Sequence, residues 1–132
     1  MTERGVLDTS VFIAAESGRA LDVVELPAEG AISVVTLAEL HAGVLAAQDV
    51  ESRARRMITL DSVGDVELLP VDAAAAMAWA QMRVQLAESG RRANVNDLWI
   101  AATAASRGLP VVTQDDDFDV LEGLAGLVVV RV

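Results

Sequence analysis

Five short, largely apolar segments punctuate the chain, and each of the first four is followed by a turn or by a helix-forming segment. The last two segments are uninterrupted apolar runs, which are typical of parallel strands because helices cover both faces of such sheets. The alternation therefore predicts an α/β fold with a central, mainly parallel five-stranded sheet flanked by helices. The predicted strands cover residues 5–7, 31–35, 66–69, 111–112 and 127–130.

Capping residues and helix breakers mark the predicted helices between these strands. One helix begins near Ser10, and others are predicted over about 37–47, 51–60 and 73–88. Asp72 is placed to cap the helix over 73–88, and either Asn94 or Asn96 is placed to cap the last one. No linker or repeat interrupts the pattern, so residues 1–132 are predicted to form one domain.

Four acidic residues lie where an apolar strand gives way to a turn or helix: Asp8, Glu39, Asp97 and Asp115. Carboxyl ends of parallel strands share one edge of a sheet, where ligands bind at a topological switch point. Four carboxylates in one crevice raise each other's pKa values unless cations neutralise them. Mg²⁺ or Mn²⁺ suits such hard oxygen ligands. We therefore expect a divalent metal site at this edge.

Each acid also has a purely structural interpretation. Asp8 could cap the following helix, although burying a carboxylate at a strand end is costly without a charge partner, which favours the metal role. Thr36 and Glu39 have the spacing of a capping box, and on local sequence alone that interpretation is preferred for Glu39. Asp97 stands in the first turn of a helix, where the dipole favours any acid. Asn96 could cap that helix and leave Asp97 free to face the crevice.

The chain resembles the PIN-domain ribonucleases, and among them the VapC toxins of prokaryotic toxin–antitoxin pairs, over nearly its whole length. The order and spacing of four motifs carry the resemblance: Leu7-Asp8-Thr9-Ser10, the helix with Glu39, Asn96-Asp97 opening an Ala-rich helix, and the run from Thr113 to Phe118. The resemblance implies a single PIN domain in which Asp8, Glu39, Asp97 and Asp115 are catalytic and bind Mg²⁺ or Mn²⁺. It also tips the interpretation of Glu39 towards function.

The same resemblance implies partners. The substrate is expected to be single-stranded RNA or a structured RNA loop, cut endonucleolytically by a metal-activated water. A cognate VapB-like antitoxin is expected to cover the active site in a toxin–antitoxin hetero-oligomer, and the toxin itself to be a homodimer. A groove for the antitoxin is predicted from apolar residues in excess of a small core: Val11, Phe12, Ile13, Leu21, Val23, Val24, Leu26, Met57, Ile58 and Leu60.

Polar neighbours of the four acids are candidates for orienting them. Ser10 and Thr113 could hold carboxylates or waters in place, and ordinary capping and turn roles are equally compatible with their positions. Asn96 and Asp117 are assigned the same supporting role. At least one acid of the run 115–117 is expected to be a solvated turn residue, and Asp116 stands where relatives often carry a basic or polar residue.

Aromatic residues and the single histidine are given no chemical role. His41 lies two residues after Glu39 on a helix and should therefore point elsewhere. Trp79 and Trp99 are predicted to anchor packing, because an aromatic content of 3% provides no base-stacking surface.

The net charge of −10 is unusual for a nucleic-acid-binding protein, since phosphate contacts normally require a basic surface. Part of this charge belongs to the proposed metal site. All ten basic residues are arginines, and clustered arginines could still form a local rim that contacts phosphate. The candidates are Arg53, Arg55, Arg56, Arg91 and Arg92, of which the first three are better explained as a solvated helix face.

Other function classes remain open at this point. A phosphoacceptor or phosphatase-type α/β domain also collects aspartates at strand ends, but such domains use a lysine and this chain has none. The phosphatase pattern also requires an acid where this chain has Ser10. A non-catalytic, partner-binding PIN domain is a third possibility. No apolar run is long enough to span a bilayer, and the start, Met1-Thr2-Glu3-Arg4, lacks a secretory segment, so we expect a cytoplasmic protein.

Overall fold

A parallel five-stranded sheet forms the centre of the computed structural model, which describes residues 3–132. Met1 and Thr2, the first two residues of the predicted domain, lie outside the described residues. All four neighbouring strand pairs are parallel, in the order β3-β2-β1-β4-β5, which confirms the predicted α/β class. The strands are β1 (Arg4–Leu7), β2 (Glu29–Ser33), β3 (Glu67–Leu69), β4 (Val111–Thr113) and β5 (Val129–Arg131).

Five α-helices connect these strands or pack on them. They are α1 (Thr9–Ser17), α2 (Val34–Leu45), α3 (Val50–Ser62), α4 (Ala73–Glu88) and α5 (Val95–Ala105). Short 3₁₀ segments cover Val23–Glu25, Asp116–Leu121 and Leu124–Gly126. Among the described residues, no helix combines the length and apolar character needed to cross a membrane.

The strand order places a topological switch point beside β1. From β1 the chain proceeds outward to β2 and β3, and then returns to the other side of β1 to form β4 and β5. Connections from β1 and β4 therefore leave the sheet in opposite directions, which opens a crevice at the carboxyl ends of these two strands. Asp8 directly follows β1 and Thr113 ends β4, so both lie at this crevice.

Apolar side chains form two clusters because successive residues of a strand point to opposite faces of the sheet. The larger cluster joins one face to α4, α5 and the segment after β4; it includes Val6, Ala31, Met82, Ile100, Val111 and Phe118, all buried. The smaller cluster, on the other face, has three buried members: Ile32, Leu40 and Val63. Leu7, Phe12 and Leu60 pack against it and are only partly buried.

The boundary between β2 and α2 differs from the prediction. β2 ends at Ser33 and α2 begins at Val34, because the Ser33 hydroxyl accepts a hydrogen bond from the backbone N–H of Val35 at 3.0 Å and caps the helix. The β-branched pair Val34 and Val35 favoured a longer strand, and the cap outweighs that preference. Thr36 therefore lies within the first turn of α2, fully buried, and the predicted capping box with Glu39 is wrong.

The cap of α5 is Asn94. Its Oδ1 accepts hydrogen bonds from the backbone N–H groups of Asn96 at 2.9 Å and Asp97 at 3.3 Å. The alternative cap, Asn96, is therefore wrong. Asp72 caps α4 as predicted, since its Oδ1 accepts from the backbone N–H of Ala75 at 3.0 Å.

Candidate active site

A cleft of about 230 Å³ opens at the carboxyl edge of the sheet, and all four predicted acids line it. They come from four separate places in the chain: the end of β1, the middle of α2, the first turn of α5 and the residue after the Gln that follows β4. The parallel sheet brings them together, as the sequence predicted. The remaining lining residues are Thr9, Ser10, Ile13 and Arg19.

Asp8 caps α1, which is one of its two interpretations from sequence, and it also lines the cleft. It caps α1 by accepting from the backbone N–H of Ser10 at 3.2 Å, and it also accepts from the hydroxyl of Thr113 at 3.1 Å. Only 2% of its surface is exposed. Burial raises the pKa of Asp8, while the hydrogen bonds from Ser10 and Thr113 oppose that rise.

Two buried hydroxyls connect α1 to the end of β4. Ser10 Oγ and Thr113 Oγ1 lie 3.2 Å apart. The backbone N–H of Gln114 donates to Ser10 Oγ at 3.0 Å, and that of Asp115 donates to Thr113 Oγ1 at 3.0 Å. Ser10 and Thr113 therefore fix the turn that carries Asp115 relative to Asp8, which is the supporting position assigned to them from sequence.

Glu39 projects from α2 into the cleft and is held by both of its carboxylate oxygens. The hydroxyl of Thr9 donates to Oε1 at 2.7 Å, and the side-chain amide of Asn96 donates to Oε2 at 3.5 Å. Thr36 Oγ1 lies 3.0 Å from the Thr9 hydroxyl. The sequence assigned Asn96 a supporting place but missed Thr9, although Thr9 lies within the motif that contains Asp8.

Asp97 is the most strongly perturbed acid of the cleft. Burial raises its pKa to about 7, together with the negative charges of Asp8, Asp117, Glu39 and Asp115. Burial of the carboxyl group is the largest cause of this rise in pKa, and the converging carboxylates add to it. The cleft is therefore a centre of concentrated negative charge that favours a bound cation or a bound proton.

Asp115 is perturbed in the same direction and lies close to a cation that sequence analysis missed. Burial raises its pKa, as do Asp8 and Asp117, whereas Arg19 and Arg131 lower it. Arg19 follows Gly18, whose left-handed backbone (φ 76°) ends α1, and the Arg19 N–H bonds back to the Ala14 carbonyl at 2.9 Å. The sequence signal that could have placed Arg19 near the cleft is Gly18, because this glycine ends the helix that Asp8 caps.

The other acids of the run 115–117 differ in their surroundings. Asp116 is exposed and pairs with Arg131, as expected for a solvated turn. Asp117 is also exposed, yet its charge raises the pKa values of Asp97 and Asp115, so it borders the cleft.

The residues that were denied a chemical role lie away from the cleft. His41 is on the exposed side of α2. Trp79 and Trp99 stack on each other between α4 and α5, with ring centroids 4.9 Å apart and an interplanar angle of 16°. Trp79 packs against the larger cluster, which agrees with the predicted packing role.

The donor set of the cleft suits a hard divalent cation, since it consists of carboxylate oxygens with hydroxyl and amide support. Within residues 3–132, no three acidic or histidine side chains are close enough to hold one ion together. Mg²⁺ commonly binds one or two carboxylates and keeps several waters, so this spacing fits Mg²⁺ better than an ion that needs an all-protein shell.

Comparison with known proteins agrees with this geometry. A family model described as the PIN domain matches residues 5–124. This chain belongs to the PIN-domain family. The PIN domain is 62% identical over 128 residues to Ribonuclease VapC5 of Mycobacterium tuberculosis, covering 97% of this chain and 95% of that protein. It is 39% identical over 95 residues to the tRNA(fMet)-specific endonuclease VapC of Shigella flexneri, covering 70% of each.

A solved structure matches this PIN domain over almost its full length. The crystal structure of VapBC-5 from Mycobacterium tuberculosis, a member of the VapBC family of toxin–antitoxin systems, superimposes with a TM-score of 0.93 at 58% sequence identity. The match covers 98% of this chain and 99% of that one. Sequence and structure together place this PIN domain among the VapC proteins.

Proposed function

We propose that this PIN domain is a metal-dependent endoribonuclease and the toxin of a VapBC-type toxin–antitoxin pair. The observation that carries the proposal is the convergence of four carboxylates from separate elements on one small cleft. The names of the VapC relatives support RNA as the substrate. The match to VapBC-5 supports an antitoxin as the partner.

Asp8, Asp97 and Asp115 would hold Mg²⁺ or Mn²⁺, one or two of them directly and the others through bound water, and Glu39 would contribute directly or through a water. When bound, such an ion lowers the pKa of a water and offsets the negative charge of a phosphodiester. Ser10 and Thr113 hold Asp8 in place, while Thr9 and Asn96 hold Glu39. These contacts keep the carboxylates oriented without drawing them out of the cleft.

The reaction is hydrolysis of a phosphodiester bond. The water oxygen forms a bond to phosphorus, the bond between phosphorus and one bridging ester oxygen breaks, and that leaving oxygen takes up a proton. Three hydroxyls adjoin the carboxylates, and each is engaged within the protein. Ser10 Oγ contacts Thr113 Oγ1 and accepts from Gln114 N–H, the Thr113 hydroxyl donates to Asp8, and the Thr9 hydroxyl donates to Glu39. We therefore assign the attack to water and the positioning of that water to the carboxylates.

The decisive experiment is a cleavage assay on total RNA with mapped ends, comparing wild type with Asp97→Asn. The matched control is Asp65→Asn, which makes the same chemical change at an exposed turn residue outside the cleft. We expect cleavage only after Mg²⁺ or Mn²⁺ is added to chelator-treated protein. Asp97→Asn should lower the rate more than about 100-fold, at least the effect of losing a supporting residue of a metal site. Equal rates in the two variants would contradict the site assignment.

The same assay separates the alternative functions. A phosphoacceptor or phosphatase-type domain would act on a small phosphate ester and leave RNA intact. A non-catalytic PIN domain would bind its antitoxin and cleave neither substrate. The chain has no lysine to assist phosphoryl transfer, and the cation that lines the cleft is Arg19.

The antitoxin is proposed to lie on the outer surfaces of α1 and α3. Ile13, Met57 and Ile58 are exposed there, as are Val23 and Val24 in the segment before β2. A cavity of about 260 Å³, which also contains Arg56, adjoins this surface and shares Ile13 and Glu39 with the acid cleft. An apolar antitoxin helix could pack on the surface and extend a basic side chain to the acids. The structure narrows the predicted groove, because Val11 is buried and Phe12 packs into the smaller cluster.

The homodimer implied by the family resemblance stays a prediction. Light scattering on the isolated toxin, and on the toxin mixed with its antitoxin, would give both stoichiometries.

A further inference from the structure

The ten arginines divide into two groups according to what their side chains contact. Six form side-chain hydrogen bonds or ion pairs within the protein: Arg4, Arg53, Arg55, Arg56, Arg107 and Arg131. The other four form none with any residue of the range 3–132: Arg19, Arg83, Arg91 and Arg92. In a chain with a net charge of −10, acidic partners are plentiful, so this separation is informative.

The four arginines of the second group lie beside the acid cleft or along the cavities next to it. A cavity of about 570 Å³ lies between α4 and the loop leading to α5; Trp79, Arg83, Leu86, Arg91, Arg92 and Val95 are among its lining residues. Its volume is within the range of about 300 to 1,000 Å³ that is usual for small-ligand sites. A nucleoside is therefore of suitable size for it.

A second cavity connects this region with the acids. Its volume is about 550 Å³, and it shares Arg91 and Arg92 with the first. Asn94, Asp116, Asp117 and Asp119 also line it. Asp116 and Asp119 both pair with Arg131, which offsets their charge. The Asn94 side chain accepts from the backbone N–H of Asp97 at 3.3 Å, so this cavity directly adjoins the part of α5 that carries Asp97.

Arg19 lies at another part of the cleft. It lines the cleft together with Asp115 and Asp8, which come from the β1 and β4 ends. Basic side chains therefore occur both in the cleft, where Arg19 lines it, and in the cavity that adjoins it, where Arg91 and Arg92 line the wall. Guanidinium groups bind phosphate with charge-assisted hydrogen bonds, so a nucleic-acid strand that passes from the cavity into the cleft has cations in both places.

We propose that one RNA strand lies across the acid cleft, with phosphates bound by Arg19 at one end and by Arg91 and Arg92 at the other. A nucleoside flanking the cleaved bond occupies the cavity beside Trp79, with Arg83 on its wall. This inference rests on the proposed nuclease function. It excludes the helix α3 arginines, because Arg53 donates to the Ala47 carbonyl, Arg55 to Ser52 and Arg56 to the Gly43 carbonyl.

The test measures RNA binding without cleavage. The probe is a short fluorescein-labelled single-stranded RNA of mixed sequence, and the parent protein is the full chain with Asp97→Asn. Two double variants are compared, and each removes two positive charges. The first combines Arg91→Gln and Arg92→Gln, and the control combines Arg53→Gln and Arg55→Gln. Fluorescence anisotropy is followed between about 50 and about 200 mM salt, where phosphate contacts dominate the salt dependence.

We expect the Arg91 and Arg92 changes to weaken binding roughly tenfold at low salt and to reduce the slope of log affinity against log salt by about 1.4, or about 0.7 per lost contact. The Arg53 and Arg55 changes should leave both quantities near the parent values. Circular dichroism melts verify that the parent and both double variants are folded.

The cavity has its own matched pair of variants. Ala87 lines the cavity, whereas Ala76 is an exposed residue of the same helix outside it. Ala87→Leu should weaken RNA binding several-fold because it fills the cavity, and Ala76→Leu should not. Identical affinities for these two variants would overturn the nucleoside site.

The outcomes distinguish this inference from the proposed function. The phosphate track is the path defined by Arg19, Arg91 and Arg92. If wild type cleaves RNA but the two arginine double variants bind the probe with equal affinity, the phosphate track is wrong and the nuclease function stands. If binding depends on Arg91 and Arg92 but wild type never cleaves, the track stands and the nuclease function fails. The track would be overturned if the parent did not bind the probe at low salt. It would also be overturned if the Arg91 and Arg92 variant lost self-association but kept its affinity for RNA.

Discussion

The two faces of the sheet are packed very differently. On the face covered by α4 and α5, the larger cluster buries residues from strands, helices and the segment after β4, and several of them are completely inaccessible to solvent. On the face covered by α2 and α3, three residues form the buried core, and apolar side chains remain exposed on the helices around it. Ile58, for example, is 71% exposed.

This difference indicates that the two faces contribute unequally to stability. Burial of apolar surface is the main source of folding free energy, so the face with the larger cluster should contribute most of the stability. Large apolar side chains are exposed on both faces, Met77 on α4 and Ile58 on α3 among them, so the contrast lies in the size of the buried core. The acid cleft lies at the edge of the sheet that both faces share.

The largest expected effect compares the same substitution on the two faces. Ile100 is fully buried in the larger cluster, so Ile100→Ala should lower the free energy of unfolding by about 2 to 5 kcal/mol. Ile58→Ala on α3 should change it by less than about 0.5 kcal/mol. Urea denaturation measures both. Similar losses would mean that the α3 surface belongs to the core and that the comparison is wrong.

A second prediction concerns the partner. Ile58→Asp should weaken antitoxin binding by about 2 kcal/mol, the loss expected for an interface hot spot, and leave the melting temperature nearly unchanged. Phe12→Asp should instead destabilise the toxin itself, because Phe12 packs against the smaller cluster. Binding is measured by titration calorimetry with circular dichroism as the control. Undiminished affinity of the Ile58→Asp protein would place the antitoxin elsewhere.

A third prediction separates the acid cleft from both faces by its pH dependence. The raised pKa values of Asp97, Asp8 and Asp115 mean that the folded, metal-free protein binds more protons than the unfolded chain. The contribution of Asp97 to stability should therefore be fully present below pH 3.8, its pKa in the unfolded chain. That contribution should be lost as the pH rises through its folded-state pKa of about 7. Because Asp97 is only half-buried, solvent screening should limit its part of the loss to about 1 to 2 kcal/mol.

Metal and mutation provide the controls for that prediction. The double variant Asp8→Asn with Asp97→Asn should melt higher than wild type at pH 8 without metal, since it removes the repulsion. Mg²⁺ or Mn²⁺ should raise the melting temperature of wild type, as a ligand of the native state does, and should have little effect on the double variant. Equal metal-induced shifts in the two proteins would indicate charge screening without a specific site.

Parallel strands explain why much of this architecture could be predicted. Asp8 and Asp115 come shortly after strands with apolar centres, and parallel strands end at one edge, so their convergence followed from the sequence pattern. The convergence of Glu39 was also predicted, but local sequence alone favoured a capping role for it, because the true cap of its helix was concealed. Ser33 lies within an apolar, β-branched stretch that favours a strand, and only the contact of its hydroxyl with Val35 N–H shows that the helix has begun.

Contacts between distant segments account for the rest. The Thr9 contact with Glu39 and the bond between Ser10 and Thr113 join residues far apart in sequence, so no local pattern reports them. Arg19 is a single basic residue after a glycine, and its position depends on how α1 ends. The sequence already favoured a helix-face role for Arg53, Arg55 and Arg56, but the oxygen atoms that they bind could not be predicted from it.

The stacked tryptophans confine the near-ultraviolet absorption and fluorescence of this protein to one side of the molecule. The chain has two tryptophans and no tyrosine, so almost all of its near-ultraviolet absorption and emission comes from the junction of α4 and α5. An intrinsic fluorescence signal will therefore follow events on that half of the molecule and respond weakly to an antitoxin docking on α3. Emission changes on adding RNA but not on adding antitoxin would report, without any label, which half of the molecule each partner contacts.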